Sequence, residues 1–164
     1  MDIIKADIAN SNDWREFLSQ NYNMFYDNRF LEYNDVFLKG NVWHHLIFKD
    51  KNKTLAILNG NERFDEAGKV YVSCDGVSFG GFIWNEKIRI ADMMDIIRIF
   101  KNYLVHNDFK KCVVRNSPNL YQSNANEEYE YSLLVEGFNV NKYAITNIID
   151  LNLFEFEKLK NKKK

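Results

Sequence analysis

Proline is almost missing from this chain: one residue in 164, alongside only seven glycines. That scarcity, with 46% apolar residues, excludes collagen-like, low-complexity and disordered polypeptides. Cysteine is confined to Cys74 and Cys112, too few for a disulfide framework. Both read as small, reduced core residues of a protein kept in the cytoplasm. An excess of charge of one sign is also lacking, since the net charge is -1. A general nucleic-acid binder carries a basic surplus, so no specific nucleic-acid partner is expected. No run approaches the ~20 apolar residues of a membrane span. The start, MDIIKADIANSND, turns polar too early for a signal peptide. Histidine is sparse as well. His44 and His45 are neighbours, and on a strand they would point to opposite faces. His106 falls near a helix end, so no ligand cluster and no metal site is expected.

What the chain does have is aromatic mass, 15% of its residues, mostly Phe and Tyr. Its length suits one domain that buries roughly 70% of its extended-chain surface and needs no metal or disulfide to fold.

Hydrophobic periodicity gives the element order. Ile3 to Ile8 predicts a short strand. Ser11 or Asn12 caps a helix carrying Trp14, Phe17 and Leu18 at helical spacing. A second helix follows from about Asn28, with Phe30, Tyr33, Val36 and Phe37 on one side, and Gly40 ends it. Val42 to Phe48 and Thr54 to Leu58 form a hairpin about the polar turn Asp50-Lys51-Asn52. A polar loop from Asn59 to Gly68 precedes a long strand region, Val70 to Trp84. Asp75-Gly76 and Gly80-Gly81 interrupt it and suggest a bulge. Asp92 caps a helix whose apolar face is Met93, Ile96, Ile97, Phe100, Tyr103 and Leu104. Lys111 to Arg115 is a short strand, broken by Asn116-Ser117-Pro118. Asn124 caps a helix over 126–136 that Gly137 terminates, and Val140 to Leu151 is a last strand. The order β, α, α, β, β, β, α, β, α, β predicts an α/β (α+β) fold. Its central sheet is mixed and mostly antiparallel, with helices on both faces.

Four pieces carry a family resemblance. They are the helices DWREFL and FYDNRFLEY; Val77-Ser78-Phe79-Gly80-Gly81-Phe82; Arg115-Asn116-Ser117-Pro118-Asn119-Leu120-Tyr121; and Tyr131-Ser132-Leu133-Leu134 with Gly137-Phe138. Their order resembles the GNAT acyltransferase superfamily, and most closely the N-terminal half of FemAB-like tandem transferases. The resemblance covers residues 1 to about 151, leaving 152–164 as a basic tail or the start of a second domain. It implies transfer of an acyl or aminoacyl group to an amine or hydroxyl, in cell-wall or polysaccharide chemistry. Acyl-CoA or aminoacyl-tRNA is the implied donor, and a small molecule, glycan or peptidoglycan precursor the implied acceptor. A second GNAT-like domain or a homodimer is the implied partner. Two departures stand out. FemAB-like proteins carry two such domains. The connection Trp84 to Ala91 also lacks the glycines that let backbone N–H groups hold a CoA pyrophosphate, and Asp92 adds a negative charge there.

Within that frame, Ser78, Phe79, Gly80 and Gly81 are the first site candidates. Their peptide groups could polarise an acyl carbonyl as an oxyanion-hole donor does; equally, the glycines could only let Phe79 and Phe82 pack. Arg115, at a strand end, could grip a carboxylate or phosphate by two points. Tyr121 could donate a proton. Glu128, which opens a helix beside Tyr131, could face a cleft or simply suit the positive end of the dipole. Cys74 has no base near it in sequence and reads as packing. Glu62, Asp65 and Glu66 form an acidic loop. The competing reading is a non-catalytic recognition or scaffolding domain that docks on a second domain or subunit.

Overall fold

A computed structural model describes residues 1–38, 40–73, 75–118 and 127–143. The predicted last strand from residue 144 on, the tail, Cys74, Tyr121 and Asn124 lie outside these residues; residues 140–143, where that strand was expected to begin, form no strand.

Strand β1 is Asp2–Lys5 and helix α1 is Asn12–Gln20. Ser11 caps α1, its Oγ accepting the Trp14 N–H at 3.2 Å. After a single 3-10 turn, Met24–Tyr26, helix α2 runs Asn28–Phe37. The hairpin is β2, Leu46–Asp50, and β3, Lys53–Leu58, closed by Lys51 at φ 52°. Strand β2 starts later than the sequence pattern predicts. The chain before it is still extended, with His44 donating its N–H to the Gly60 carbonyl at 2.7 Å and Val42 accepting from Glu62 at 2.9 Å. It bends here because β3 itself turns at Asn59-Gly60.

Past that bend the expected polar loop is instead a strand, β4, Asn61–Asp65, paired with β5, Gly68–Val72. The long strand region is β5, an excursion, and then β6, Ile83–Trp84. Helix α3 is Ile90–His106, β7 is Lys111–Val113 and α4 is Glu128–Val135. One set of strands runs β1-β2-β3-β6, all antiparallel; the other runs β4-β5-β7, with β7 parallel to β5. The chain crosses from the first sheet to the second between β3 and β4, and back again between β5 and β6.

Period-two alternation sorts the core. Leu46, Phe48, Ala56 and Leu58 face α3 and α4 with Met93, Ile96, Ile97 and Phe100. Ile47 and Ile57 face the other way, onto Trp14, Phe17, Leu18 and Tyr26. Helices therefore cover both faces, as predicted. Trp14 is fully buried, its Nε1 donating to the Tyr26 carbonyl at 3.0 Å. The same geometry corrects the reading of α2. Leu31 and Asn34 turn inward, whereas Tyr33, Val36 and Phe37 are exposed.

Candidate functional site

The excursion between β5 and β6 begins where Ser73 donates its N–H to the Val113 carbonyl at 2.9 Å. Arg115 donates its own N–H back to Ser73 Oγ at 2.9 Å. From Asp75 the chain leaves the sheet and leans on α2. Asn34 Nδ2 donates to the Asp75 carbonyl at 2.9 Å, and Asn61 Nδ2 to Asp75 Oδ2 at 2.7 Å. Arg63 Nε reaches the same carboxylate at 2.5 Å. Gly76 turns the loop at φ +79°, where a side chain would meet Asn34 Oδ1 at 2.7 Å. Phe79 lies edge-on to Phe25, ring centroids 4.8 Å apart. The chain re-enters at Gly80, whose N–H donates to the Arg115 carbonyl at 2.8 Å, in a parallel bridge with Asn116.

The two glycines are buried. The Gly80 N–H is engaged by Arg115, and the Gly81 carbonyl accepts the Tyr26 hydroxyl. Gly81 holds φ +95°, and a side chain there would meet the Asn116 α-carbon and Oδ1 at 3.2 Å and the Tyr129 hydroxyl at 3.3 Å. The picture of bare peptide groups lining a cleft therefore does not hold for the Gly80 N–H or the Gly81 carbonyl. Instead, the glycines allow three segments to meet without side chains between them.

Beyond this junction the strands part. Gly80 still pairs with Asn116, whereas β6 pairs with β3. Tyr129 of α4 fills the junction. It is 2% exposed, donates to Asn116 Oδ1 at 2.8 Å, and packs on Trp84 and Phe82 with ring centroids 4.8 Å and 5.7 Å away. Sequence reading passed over Tyr129; its signal was the i, i+4 pair with Leu133, both buried. Ser78 and Arg115 are exposed, and an Arg115 guanidinium nitrogen donates to the Val77 carbonyl at 3.3 Å. Glu128 is exposed on the first turn of α4, and Tyr131 is 54% exposed, so the helix turns both toward solvent.

At the start of α3 the cap is Arg89, with Asp92 at the third helical position. This corrects the expectation that Asp92 caps the helix. Asp92 accepts the Arg89 backbone N–H at 3.3 Å and its guanidinium at 2.9 and 3.0 Å. The hydrogen bonds from Arg89 hold the Asp92 carboxyl below the usual range.

A second polar group went unread in the sequence. His44 Nδ1 lies 2.5 Å from the Tyr103 hydroxyl and Nε2 lies 3.1 Å from Glu62 Oε2, which also pairs with Lys69. Burial pushes His44 down to about 4, helped by Lys5 and opposed by Glu62. Burial tends to raise Glu62, but Lys69 and His44 outweigh it and hold the carboxyl low. Asp65 pairs with Lys111 at 3.1 Å, so Glu62 and Asp65 of the expected acidic loop are both ion-paired on strand β4. His45 points to the other face, between Trp43 and Trp14. Burial also raises the Cys112 thiol, which suits packing rather than nucleophilic attack. Among the described residues no group of three His, Cys, Asp or Glu could hold a metal ion. No helix of the described residues is long and apolar enough to cross a membrane.

Compared as a fold, the chain aligns along nearly its whole length with solved acetyltransferases. The aminoglycoside 6'-N-acetyltransferase of Acinetobacter haemolyticus shares 15% identity, with TM-score 0.55 over 92% of this chain and 100% of that one. AAC(6')-Iy in complex with the bisubstrate analogue CoA-S-monomethyl-acetylneamine shares 14%, with TM-score 0.58 over 91% and 97%. A probable acetyltransferase shares 16%, with TM-score 0.52 over 92% and 99%. This is the GNAT acetyltransferase fold. At these identities the likeness concerns the fold alone. It does not extend to the narrower FemAB-like resemblance. No family model matches the chain, and no curated protein matches it in sequence.

Proposed function

We propose that this GNAT-fold chain transfers an acyl group to an amine or hydroxyl of a small molecule. The observation that carries this reading is the phenol of Tyr129 at the point where the strands part, in a fold shared with acetyltransferases along nearly its full length. That phenol, buried and donating to Asn116 Oδ1, fixes the point where the strands part, and the parted strands can hold the reactants side by side. Ser78 and Arg115 border the same segment from the solvent side and are the proposed acceptor contacts; Tyr121, Glu128 and the neighbouring Phe79, Gly80 and Gly81 complete the candidate set. The finer assignments follow the FemAB-like resemblance: a glycan or peptidoglycan-precursor acceptor, residues 1–151 as the domain, and a second GNAT-like domain as partner; a cytoplasmic site of action follows instead from the sparse cysteines.

The fold implies CoA, and the residues at α3 do not fit its pyrophosphate. A pyrophosphate cradle needs free N–H groups at the helix start. Here the Asp92 carboxylate takes the Arg89 N–H and adds a negative charge. The test is incubation of purified protein with an amine and sugar panel in two arms, acetyl-CoA and aminoacyl-tRNA, with products read by mass. Acyl transfer that falls at least tenfold in Tyr129→Phe, with circular dichroism unchanged, supports the proposal. No transfer in either arm refutes it.

The closed α3 start and the engaged Gly80 N–H favour a second reading, a non-catalytic recognition domain. It is supported if calorimetry with millimolar acyl-CoA gives no heat while the protein captures a second domain or subunit.

A further inference from the structure

Helix α1 and the β2–β3 hairpin border a cleft of about 230 Å³. Asp13 and Glu16 line it from α1, Lys53 and Thr54 from the start of β3, and Asn85 from the chain just past β6. Phe17 gives it a buried apolar patch. A β-bulge shapes the hairpin wall. The β2–β3 register shifts between Phe48 and Lys49, so Leu55 joins Ala56 and Leu58 in the core under α3. Thr54 is thereby turned toward α1. Strict alternation from Ala56 would have put it on the α3 side. Re-aiming a side chain in this way is what bulges beside binding sites do.

The charges in the cleft do not cancel. Asp13 is held by Lys49 at 2.8 Å. Glu16 and Lys53 line the same space, yet neither makes an ion pair with the other or with any described residue. Lys53 reaches Asp92 only through space, helping to hold that carboxyl low. A negative group therefore stands on the helix wall and a positive group on the hairpin wall. Asn85 Oδ1 accepts the Lys87 N–H at 3.0 Å, which leaves the side-chain N–H groups of Asn85 to donate. The Thr54 hydroxyl can donate or accept.

We propose that this cleft binds a small zwitterion of the free amino acid class. Its ammonium group lies on Glu16 and its carboxylate on Lys53, and Asn85 and Thr54 complete the hydrogen bonds. A cation alone would meet Lys53 and an anion alone would meet Glu16, so the two walls select a ligand that carries both signs. The volume equals roughly seven or eight waters at ~30 Å³ each, which suits a molecule of about ten non-hydrogen atoms. The inference does not depend on the proposed acyl transfer.

Nuclear magnetic resonance titration of the isotope-labelled full chain tests it, with L-glutamine, L-lysine and L-leucine as probes. Saturable shifts at the Thr54 and Asn85 amides are expected for at least one of them, with a dissociation constant on the order of millimolar. The N-acetyl form of that probe lacks the ammonium and its α-amide lacks the carboxylate. Each should bind at least tenfold more weakly. Glu16→Gln should erase the preference over the N-acetyl form, and Lys53→Gln the preference over the α-amide. Both side chains are exposed, so circular dichroism should not change. Absence of a saturable shift with all three probes at tens of millimolar overturns the proposal. So does binding that ignores both substitutions.

Discussion

Nε2 of His44 faces the Glu62 carboxylate at 3.1 Å, which can only accept, so the neutral imidazole carries its hydrogen on Nε2 and Nδ1 accepts from the Tyr103 hydroxyl across 2.5 Å. The ring then donates from Nε2 to Glu62, tying α3 to β4 through neutral histidine. Protonation would put a hydrogen on Nδ1 and force the Tyr103 hydroxyl to turn away.

A pH dependence follows. Burial holds His44 down to about 4 and His45 down to about 3, against about 6.5 in an unfolded chain. The unfolded state thus takes up protons that the folded state refuses. The stability these groups confer is complete above about pH 6.5. It is lost as pH falls through the His44 and then the His45 value, at up to about 1.4 kcal/mol per pH unit for each ring. Urea unfolding midpoints at pH 7.5, 6 and 5 should fall in that order, and His45→Phe should flatten the slope. An unchanged midpoint down to pH 5 would contradict the assignment.

Gly81→Ala should cost about 1–3 kcal/mol, because alanine takes φ +95° badly and its methyl meets the Asn116 backbone. Gly137, at φ +88° with open space around it, supplies the control: alanine there should cost only about 1 kcal/mol. The difference between the two thermal midpoints measures how tightly the junction at Asn116 and Tyr129 is closed. Equal losses would mean that backbone strain alone explains both.

Tyr26→Phe removes the hydroxyl that the Gly81 carbonyl accepts. A buried carbonyl left without a donor costs about 1–3 kcal/mol. The denaturant midpoint should drop while the far-ultraviolet spectrum stays unchanged. A shift within error would show that water replaces the tyrosine.

Asp92→Ala should open the start of α3 to anions. The change removes the carboxylate that occupies Arg89 and restores the positive end of the helix. Calorimetric titration with CoA should show binding at least severalfold tighter than for the parent chain, at a cap cost of about 1 kcal/mol. Equal affinity in both proteins would mean that Asp92 does not govern this end of the helix.

Much of the fold was legible because α3 declares itself. Of the apolar face its period assigns, Met93, Ile96, Ile97, Phe100 and Leu104 are buried, and Tyr103 is half-buried at the edge. The hairpin about Lys51 was legible for a similar reason, since its turn is short and polar. Helix α2 shows where periodicity fails. An aromatic stripe marks one side of a helix without saying which side is covered, and Asn34 faces inward because Asp75 needs its amide. The glycines were correctly read as a break in the strand. What they meet was not readable, because Tyr26, Asn116 and Tyr129 come from distant parts of the chain. The His44 network was hidden likewise, its members spread over an extended segment, β4, β5 and α3.

The order of pairing in the two sheets also sets a folding timetable. The β2–β3 hairpin has a local turn and forms within about 1–10 microseconds. Both outer seams are slower: Asp2 must find Lys49, and Val70 must find Lys111 only after α3 has brought the chain back. Such long loop closures put folding toward the millisecond-to-second range. During that delay the β5 edge stands open to other chains, so refolding yield should fall as protein concentration rises.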